Sequence, residues 1–236
     1  MNLKENITAV NDRIAAAARR ANRDPSEITL VAATKVQTSE TIRKAIAAGI
    51  QICGENRVQE MAAHLDDDAY AGARLHFIGH LQTNKVKQVV GRVDLIESVD
   101  SERLLTAIDK RAGELEMIQD ILLEVNIANE ESKGGISPSQ LPFLAEKALV
   151  FPHIRLRGLM CIPPIVVSGA SNRKFFAQTH QLFVDIRYKI ADNKSDMDCL
   201  SMGMSGDFEE AVEEGATLVR VGTALFGPRP PITGNH

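Results

Sequence analysis

One lysine stands where it could form a covalent bond with an aldehyde. Lys35 closes the run Val31-Ala32-Ala33-Thr34-Lys35, which is mostly apolar and of strand length. Partial burial at the end of an apolar strand favours the neutral, nucleophilic form of a lysine amine, and imine formation requires that form. The ordinary alternative is a lysine whose side chain reaches past the strand end into solvent.

Two turns rich in glycine and hydroxyl side chains could hold an anion. In (β/α)₈ barrels the loops after the seventh and eighth strands often bind phosphate. Glycines let backbone N–H groups approach the anion, and hydroxyl groups add donors. In this chain the two turns contain Ser201, Gly203, Ser205 and Gly206, then Gly222 and Thr223. The same pattern also fits two ordinary turns.

An arginine and two histidines are the other polar residues of interest. Arg220 alternates with Val219 and Val221, and a buried guanidinium needs acceptors or a planar partner. It could therefore meet a ring nitrogen at the barrel mouth, or form a buried salt bridge to a strand acid such as Glu124. The two histidines, His76 and His80, lack further ligands at metal spacing, so no metal site is predicted.

The elements that must position these residues alternate between strand and helix. After an amphipathic helix from Leu3 to Ala21, the periodicity predicts strands at 28–35, 50–54, 75–78, 94–98, 118–127, 154–160, 199–202 and 218–222. The helical segments between them are 39–48, 58–65, 84–90, 101–112, 139–149, 172–190 and 207–214. This alternation predicts an α/β fold, a closed (β/α)₈ TIM-type barrel with an extra N-terminal helix. An open doubly wound sheet is the alternative, but no G-x-G-x-x-G follows the first strand.

Composition limits the class of protein. The chain has 236 residues, 44% hydrophobic and 25% charged, with a formal net charge of −4. No linker-like stretch divides it, which predicts one domain over 1–236, with 1–22 as the N-terminal helix and 228–236 as a tail. An acidic chain without a basic block is a poor nucleic-acid binder. The N-terminus resembles no signal peptide, no apolar run has membrane-spanning length, and the three cysteines form no C-x-x-C. These features predict a cytoplasmic protein without a membrane partner.

Seven sets of short stretches, spread in order from Lys35 to Gly227, form one pattern. They are Ala33-Thr34-Lys35, Gly54 to Glu60, His76 to Lys85, Val125-Asn126 with Ser132 to Ile136, Arg157 to Met160, Leu200 to Ser205, and Val219 to Thr223 with Phe226-Gly227. Together they resemble the pyridoxal 5′-phosphate (PLP) homeostasis family, whose fold is like the N-terminal barrel domain of alanine racemase. The segment from Pro228 to His236 shows no family pattern.

The resemblance implies that PLP is the cofactor and that it is held as a Schiff base on Lys35. Arg220 takes the place of the arginine that faces the pyridine nitrogen in the family. The phosphate cradle of the family falls on Ser201, Gly222 and Thr223.

Four further residues receive expected places from the resemblance. Asn56 and Met204 line the cofactor pocket, His76 lies just behind it, and Lys133 matches a loop lysine near the barrel mouth. Members of the family are regarded as monomers that bind PLP without an established reaction and act in vitamin B6 balance. PLP itself and PLP-accepting apo-enzymes are the expected partners.

Three functions compete on these residues: a PLP carrier, a PLP-dependent amino-acid racemase, and a cofactor-free aldolase that uses Lys35 on a sugar phosphate. A barrel-type racemase uses a lysine on one ring face and a tyrosine, supplied by a second domain, on the other. Here the two tyrosines, Tyr70 in an acidic loop and Tyr188 in a predicted helix, do not lie at strand ends. An arginine at the pyridine nitrogen also weakens the ring as an electron sink. The sequence therefore favours a non-catalytic PLP-binding protein.

Overall fold

Eight parallel strands close into a barrel in which each strand pairs with its neighbours in chain order. The computed structural model describes residues 2–130, 133–164, 171–190 and 197–228. The strands are β1 (Thr29–Ala33), β2 (Ile52–Glu55), β3 (Arg74–Phe77), β4 (Leu95–Val99), β5 (Gln119–Val125), β6 (Ile154–Cys161), β7 (Cys199–Ser201) and β8 (Leu218–Val221). The ring closes where β8 pairs with β1, with Val31 opposite Arg220. The prediction of a (β/α)₈ barrel is confirmed.

Helices follow the strands and cover the outside of the barrel. They are α1 (Leu3–Arg20), α2 (Ser39–Ala47), α3 (Val58–Asp66), α4 (Glu102–Glu114), α5 (Leu141–Val150), α6 (Arg173–Lys189), α7 (Phe208–Glu213) and α8 (Thr223–Phe226). The segment predicted as a helix at 84–90 is instead a 3₁₀ helix at Thr83–Gln88. Backbone bonds of the i→i+3 type, from the Lys85 N–H to the Gln82 carbonyl and from the Val89 N–H to the Val86 carbonyl, tighten the segment into this form. The four-residue α8 was not predicted.

The N-terminal helix α1 packs against the last two helices. Its apolar side chains at helical spacing, including Ile7, Val10 and Ile14, are buried. The Asn6 side chain donates a hydrogen bond to the Leu225 carbonyl at 2.8 Å, which ties α1 to α8. The extra N-terminal helix therefore contacts the short helix that follows one of the predicted anion-binding turns.

The interior of the barrel has two layers of different character. The first is apolar and consists of Val31, Ile52, Leu95, Leu122, Met160 and Leu218. Closer to the carboxyl ends of the strands lies a second layer that contains buried polar side chains, among them His76, Glu97, Ser201 and Arg220. The barrel is therefore filled with side chains, and a polar layer separates the apolar interior from the mouth.

None of the helices within the described ranges is both long and apolar enough to span a membrane. The expectation of a single domain over 1–236 stays a prediction, because its tail at 229–236 lies outside the described residues.

Candidate functional site

A cavity of about 340 Å³ opens at the carboxyl ends of the strands. It brings together most of the residues that the sequence analysis assigned to the cofactor: Lys35, Asn56, Met204, Arg220, Gly222 and Thr223. Its wall is completed by Ala33, Ile78, Ile162, Ser205 and Gly206. An amine, a guanidinium and two glycine-containing turns thus share one partly apolar pocket, which is a typical arrangement for a small-molecule site.

Lys35 enters the cavity from a firmly anchored strand end. The preceding residue, Thr34, is fully buried; its N–H donates to the Gly54 carbonyl at 3.0 Å. The Thr34 hydroxyl donates to Glu55 Oε1 at 2.5 Å. Lys35 itself is half-buried and lines the cavity. The backbone up to residue 34 therefore has little freedom, which fixes the point from which the amine extends.

The turns after β7 and β8 are joined through Ser205. Its Oγ accepts hydrogen bonds from the Gly222 N–H at 3.1 Å and the Ala224 N–H at 3.3 Å. A hydroxyl that accepts two bonds still has its own hydrogen to donate. The two turns therefore form a single wall of the cavity, with a hydroxyl donor held beside Gly222 and Thr223.

A glycine shapes the first of these turns. Gly203 has φ +89°, and a Cβ there would lie 2.5 Å from Ala211 Cβ and 2.9 Å from Phe208 Cα. The next residue, Met204, donates its N–H to Asp207 Oδ1 at 2.7 Å. These contacts fold the turn tightly onto α7 and bring Met204 and Ser205 to the cavity wall.

The sequence analysis assigned Ser201 to the phosphate cradle, but the structure gives it another environment. Ser201 is fully buried in β7 and does not line the cavity. Its Oγ donates to Glu97 Oε2 at 2.5 Å and accepts from Arg220 Nη1 at 2.6 Å. The side chain of a strand residue faces the barrel interior here, and the next serine, Ser205, reaches the pocket instead.

The Arg220 guanidinium is held from the barrel interior by two hydrogen-bond acceptors and a nearby carboxylate. Besides Ser201, its Nη2–H donates to the Cys161 carbonyl at 2.8 Å. The nearest carboxylate is Glu97, 4.0 Å from Nη1. The salt bridge to Glu124 that the sequence left open is not formed: Glu97 is the acid that approaches Arg220. Arg220 is thus positioned by the barrel interior while it also lines the cavity.

Glu97 and His76 continue this network towards the centre of the barrel. His76 Nδ1 lies 2.7 Å from Glu97 Oε1, and both side chains are buried. Burial alone would raise the pKa of Glu97. The hydrogen bond and charge of His76, the charge of Arg220 and the Ser201 hydroxyl outweigh it and hold that pKa below its ordinary value. His76 therefore influences Arg220 indirectly, through its contact with Glu97.

Glu124 behaves in the opposite way. It is buried on β5, and burial together with the charge of Asp100 raises its pKa above the ordinary value, although Arg220 opposes this. Glu97, which lies 4.0 Å from Arg220 Nη1, is therefore the better placed counter-charge.

Asn56 lines the cavity, and the backbone at Gly79 packs closely against it. A Cβ at Gly79 would lie 2.0 Å from the Asn56 carbonyl oxygen, so only glycine fits there. The Asn56 Oδ1 is buried and has no hydrogen-bond partner among the described residues. A buried polar atom without a partner costs free energy unless a ligand or water satisfies it.

Lys133 lies on the same face of the barrel but outside the cavity wall. Its Nζ donates to the Pro163 carbonyl at 2.8 Å and pairs with Glu130 Oε2 at 2.6 Å. It therefore connects the loop after β5 to the end of β6. Glu131 and Ser132, which precede it in the chain, lie outside the described residues.

A second cavity of about 260 Å³ opens at the opposite, N-terminal end of the barrel. Three of its charged groups pair with one another: Arg157 contacts Asp120 at 2.6 Å and Asp198 at 2.5 Å. In the part of the chain that the structure describes, no three His, Cys, Asp or Glu side chains are grouped to hold a metal ion. The C-terminal cavity is therefore the better functional candidate.

Some residues of the site were missed by the sequence analysis as site residues. Ile78 and Ile162 supply apolar wall, and Glu97 supplies the buried counter-charge. The signal for Glu97 was present: it is an acid within the apolar strand Leu95–Val99, on the same side as Leu95, just as Arg220 is a base within β8. Two opposite charges in apolar strands of a closed barrel have to find each other.

Fold and site together define a class: a (β/α)₈ barrel with a strand-end lysine and two joined glycine-containing turns after the last two strands. The family model "Alanine racemase, N-terminal domain" matches residues 6–230. The chain belongs to this family, and within it to the pyridoxal phosphate homeostasis proteins.

Curated relatives match over nearly their whole length. The pyridoxal phosphate homeostasis protein of Aquifex aeolicus is 42% identical over 231 residues, covering 97% of this chain and 99% of the relative. The protein of that name from Escherichia coli K12 is 38% identical over 231 residues, covering 96% and 97%.

Solved structures agree with this assignment. PipY of Synechococcus elongatus, determined with PLP bound, superposes with a TM-score of 0.79 at 34% identity, covering 92% of this chain and 100% of that one. An alanine racemase of Clostridium difficile has a TM-score of 0.71 at 13% identity, and the match covers 97% of this chain but 57% of the racemase. The latter similarity concerns the fold alone.

Proposed function

We propose that this protein binds PLP in the C-terminal cavity, holds it as a Schiff base on Lys35, and acts in PLP homeostasis without catalysing a reaction of its own. The names of its relatives and the PLP-bound PipY structure support the cofactor and the role. The observation that carries the proposal is the single cavity that joins Lys35, Arg220 and the two turns.

The residues of the cavity fit each part of the cofactor. The amine of Lys35 condenses with the aldehyde carbon, forming one C=N bond and releasing one water. The phosphate is assigned to the wall made by Ser205, Gly206, Gly222 and Thr223. The cavity volume of about 340 Å³ suits a small ligand. Asn56 Oδ1, which is buried and has no hydrogen-bond partner among the described residues, is a polar atom that a ligand would satisfy.

Arg220 gives the site its chemical character. Its guanidinium stays protonated and has no acceptor capacity, so it donates to the pyridine nitrogen and keeps that nitrogen free of a proton. Bound PLP is an electron sink for carbanions, and an unprotonated ring nitrogen weakens it in that role. This favours storage and delivery of the cofactor over turnover.

The tyrosines argue against a racemase. Inversion at an α-carbon requires an acid or base on each face of the ring, and the chain contains two tyrosines. The Tyr70 hydroxyl is buried and donates to Glu55 Oε1 at 2.9 Å, and Tyr188 is 87% exposed on α6. Neither lines the cavity. Incubation of the loaded protein with single amino-acid enantiomers should therefore produce none of the opposite enantiomer.

The cellular setting follows the same proposal. We assign the protein to the cytoplasm as a monomeric single domain, with PLP as its ligand and PLP-accepting apo-enzymes as its protein partners. We assign it no nucleic-acid or membrane partner. The acidic net charge of −4 supports the exclusion of nucleic acid.

Borohydride reduction of the PLP-loaded protein followed by peptide mass spectrometry tests the proposal. We expect a yellow preparation and an adduct on Lys35, which Lys35→Ala abolishes. Lys133→Ala is the matched control: it removes a lysine from the same barrel face that lies outside the cavity, and the Lys35 adduct should persist. An adduct retained elsewhere by Lys35→Ala, or colourless wild-type protein that a sugar phosphate traps, would refute the proposal, the latter in favour of an aldolase.

A further inference from the structure

The residue after Lys35 has a backbone conformation that its side chain disfavours. Val36 has φ +59°, in the left-handed region that β-branched residues rarely adopt. The Gln37 N–H donates to the Thr34 carbonyl at 3.0 Å, which closes a turn with Lys35 second and Val36 third. Glycine or asparagine is the usual residue at the third position of a turn with positive φ. Such strain persists only where surrounding contacts impose it.

Here a carboxylate of α3 contacts the strained residue. The Val36 N–H donates to Glu60 Oε2 at 3.1 Å, and Glu60 lies in the first turn of α3. Its other oxygen, Oε1, accepts from Arg57 Nη1 at 3.0 Å. Glu60 is therefore oriented from one side while it holds the Val36 backbone from the other.

The two neighbours of Lys35 are thus anchored in different ways. Thr34 is fixed by the β-ladder and by Glu55, both in the buried wall. Val36 is 49% exposed, and its backbone N–H bonds to Glu60. Strand geometry ends at Ala33, so the direction of the Lys35 side chain depends on the turn.

We propose that Glu60 is a positioning residue for Lys35: it holds the strained Val36 turn in the conformation that presents the Lys35 amine to the aldehyde of the ligand. The proposal rests on the PLP-binding function proposed above. Glu60 acts through the backbone of Val36, whose N–H donates to its carboxylate. The strained backbone of Val36 keeps the Lys35 amine in place, because a relaxed turn would let the Lys35 side chain leave the cavity.

A double-mutant cycle tests this role. Glu60→Ala should slow imine formation with PLP, followed by visible absorbance, by about 10- to 100-fold, because misplacement of a reacting group by ~1 Å has effects of that size. Glu60→Gln keeps an oxygen acceptor and should restore most of the rate. Val36→Gly makes the left-handed turn intrinsically favourable, so adding Glu60→Ala to it should change the rate by less than about twofold.

A matched control separates the bond from the charge. Glu40→Ala removes an exposed carboxylate of α2 that pairs with Lys44, and it should leave the rate unchanged. If Glu60→Ala forms the imine at the wild-type rate, or if Val36→Gly does not reduce its effect, the positioning role is wrong.

Amide hydrogen exchange of the cofactor-free protein gives a readout that does not depend on PLP. The Val36 amide should lose protection in Glu60→Ala and keep it in Glu60→Gln. Equal exchange in all variants would overturn the role of Glu60 whatever the protein binds. A wild-type protein that shows the exchange pattern but forms no adduct on Lys35 would instead overturn the proposed function and leave the turn contact established.

Discussion

At the scale of single residues, two buried carboxylates, one inside the barrel and one outside it, have contrasting settings. Glu97 lies beside His76, Ser201 and Arg220, which compensate its charge. Glu55 faces the outer wall of β2, where its Oε1 accepts from neutral hydroxyls and its Oε2 has no partner among the described residues. Burial raises the pKa of Glu55 above the ordinary value, because it outweighs the opposing hydrogen bonds from Thr34 and Tyr70. Opposite effects of pH on stability follow.

Glu97→Gln should destabilise the protein most at neutral pH. The pKa of Glu97 is lower in the folded state, so its ionised form contributes stability above the ordinary value of 4.5, and this contribution is lost as pH falls through the folded pKa. The substitution leaves Arg220 without its nearest carboxylate and should cost about 3–5 kcal/mol at pH 7. Urea denaturation at pH 7 and at about pH 4 measures it; a loss that grows on acidification would contradict the assignment.

Glu55→Gln should show the reverse dependence. A carboxyl whose folded pKa is raised costs stability as pH rises above the unfolded value of 4.5 and is harmless below it. Glutamine resembles the protonated acid and still offers an oxygen to Thr34 and Tyr70. The variant should therefore match the wild type in acid and exceed it at neutral pH, with a higher urea midpoint. A variant that is less stable at pH 7 but unchanged in acid would show that the ionised form is favoured.

At the scale of elements, the site depends on short turns more than on the strands themselves. The strand β7 has three residues and α7 has six, yet the turn between them supplies Met204, Ser205 and Gly206 to the cavity. The Ser205 hydroxyl then ties this turn to the start of α8. A rigid barrel with turns locked by a few bonds is a suitable scaffold for a site that binds a ligand in one orientation.

Gly203→Ala should disrupt this turn. The positive φ and the 2.5 Å approach to Ala211 Cβ force a shift of α7 or of the turn, at a cost of about 1–3 kcal/mol. Gly206→Ala is the control in the same turn, because a Cβ there would meet no atom within 4 Å. Urea unfolding should show a clear loss for the first variant and little for the second. Equal stabilities would mean that the turn relaxes without strain.

At the scale of the whole molecule, the two ends of the barrel have different tasks. At the N-terminal cavity Arg157 pairs with Asp120 and Asp198. The C-terminal cavity contains Lys35 and the two turns, the groups that the proposed function assigns to an anionic aldehyde. Under that proposal the ligand lies at the carboxyl ends of the strands, as is common in this fold.

Ligand binding should consequently stabilise the whole barrel. At about a hundredfold excess over its dissociation constant, PLP should raise the melting temperature by about 5–10 °C for a chain of this size. Lys35→Ala should lose most of the shift, and pyridoxine phosphate, which lacks the aldehyde, should give the smaller shift of non-covalent binding. Thermal unfolding with each ligand measures this. Equal shifts for both ligands would argue against the covalent bond.

Much of the fold could be predicted because the spacing of apolar residues along the chain indicates its strands and helices. The 2-residue and 3.6-residue periodicities of apolar side chains identify the eight strands and most of the helices, with ends displaced by a few residues. Lys35 and the Gly222-Thr223 turn could be placed in advance, because strand ends of a parallel barrel meet at one face. The 3₁₀ helix at Thr83–Gln88 was misjudged, since a short periodic segment does not distinguish the two helix types.

The sequence by itself therefore determined the barrel, its family, and the face on which the candidate site lies, because these depend on periodicity and on ordered motifs. Only the tertiary structure decided which groups meet. Ser201 bonds to Glu97 from 104 positions away, and the Val36 N–H bonds to a carboxylate 24 positions on. Such pairings arise when a closed barrel brings distant strand ends within hydrogen-bonding distance. The local sequence pattern does not indicate these distances, so the pairings could not be predicted from it.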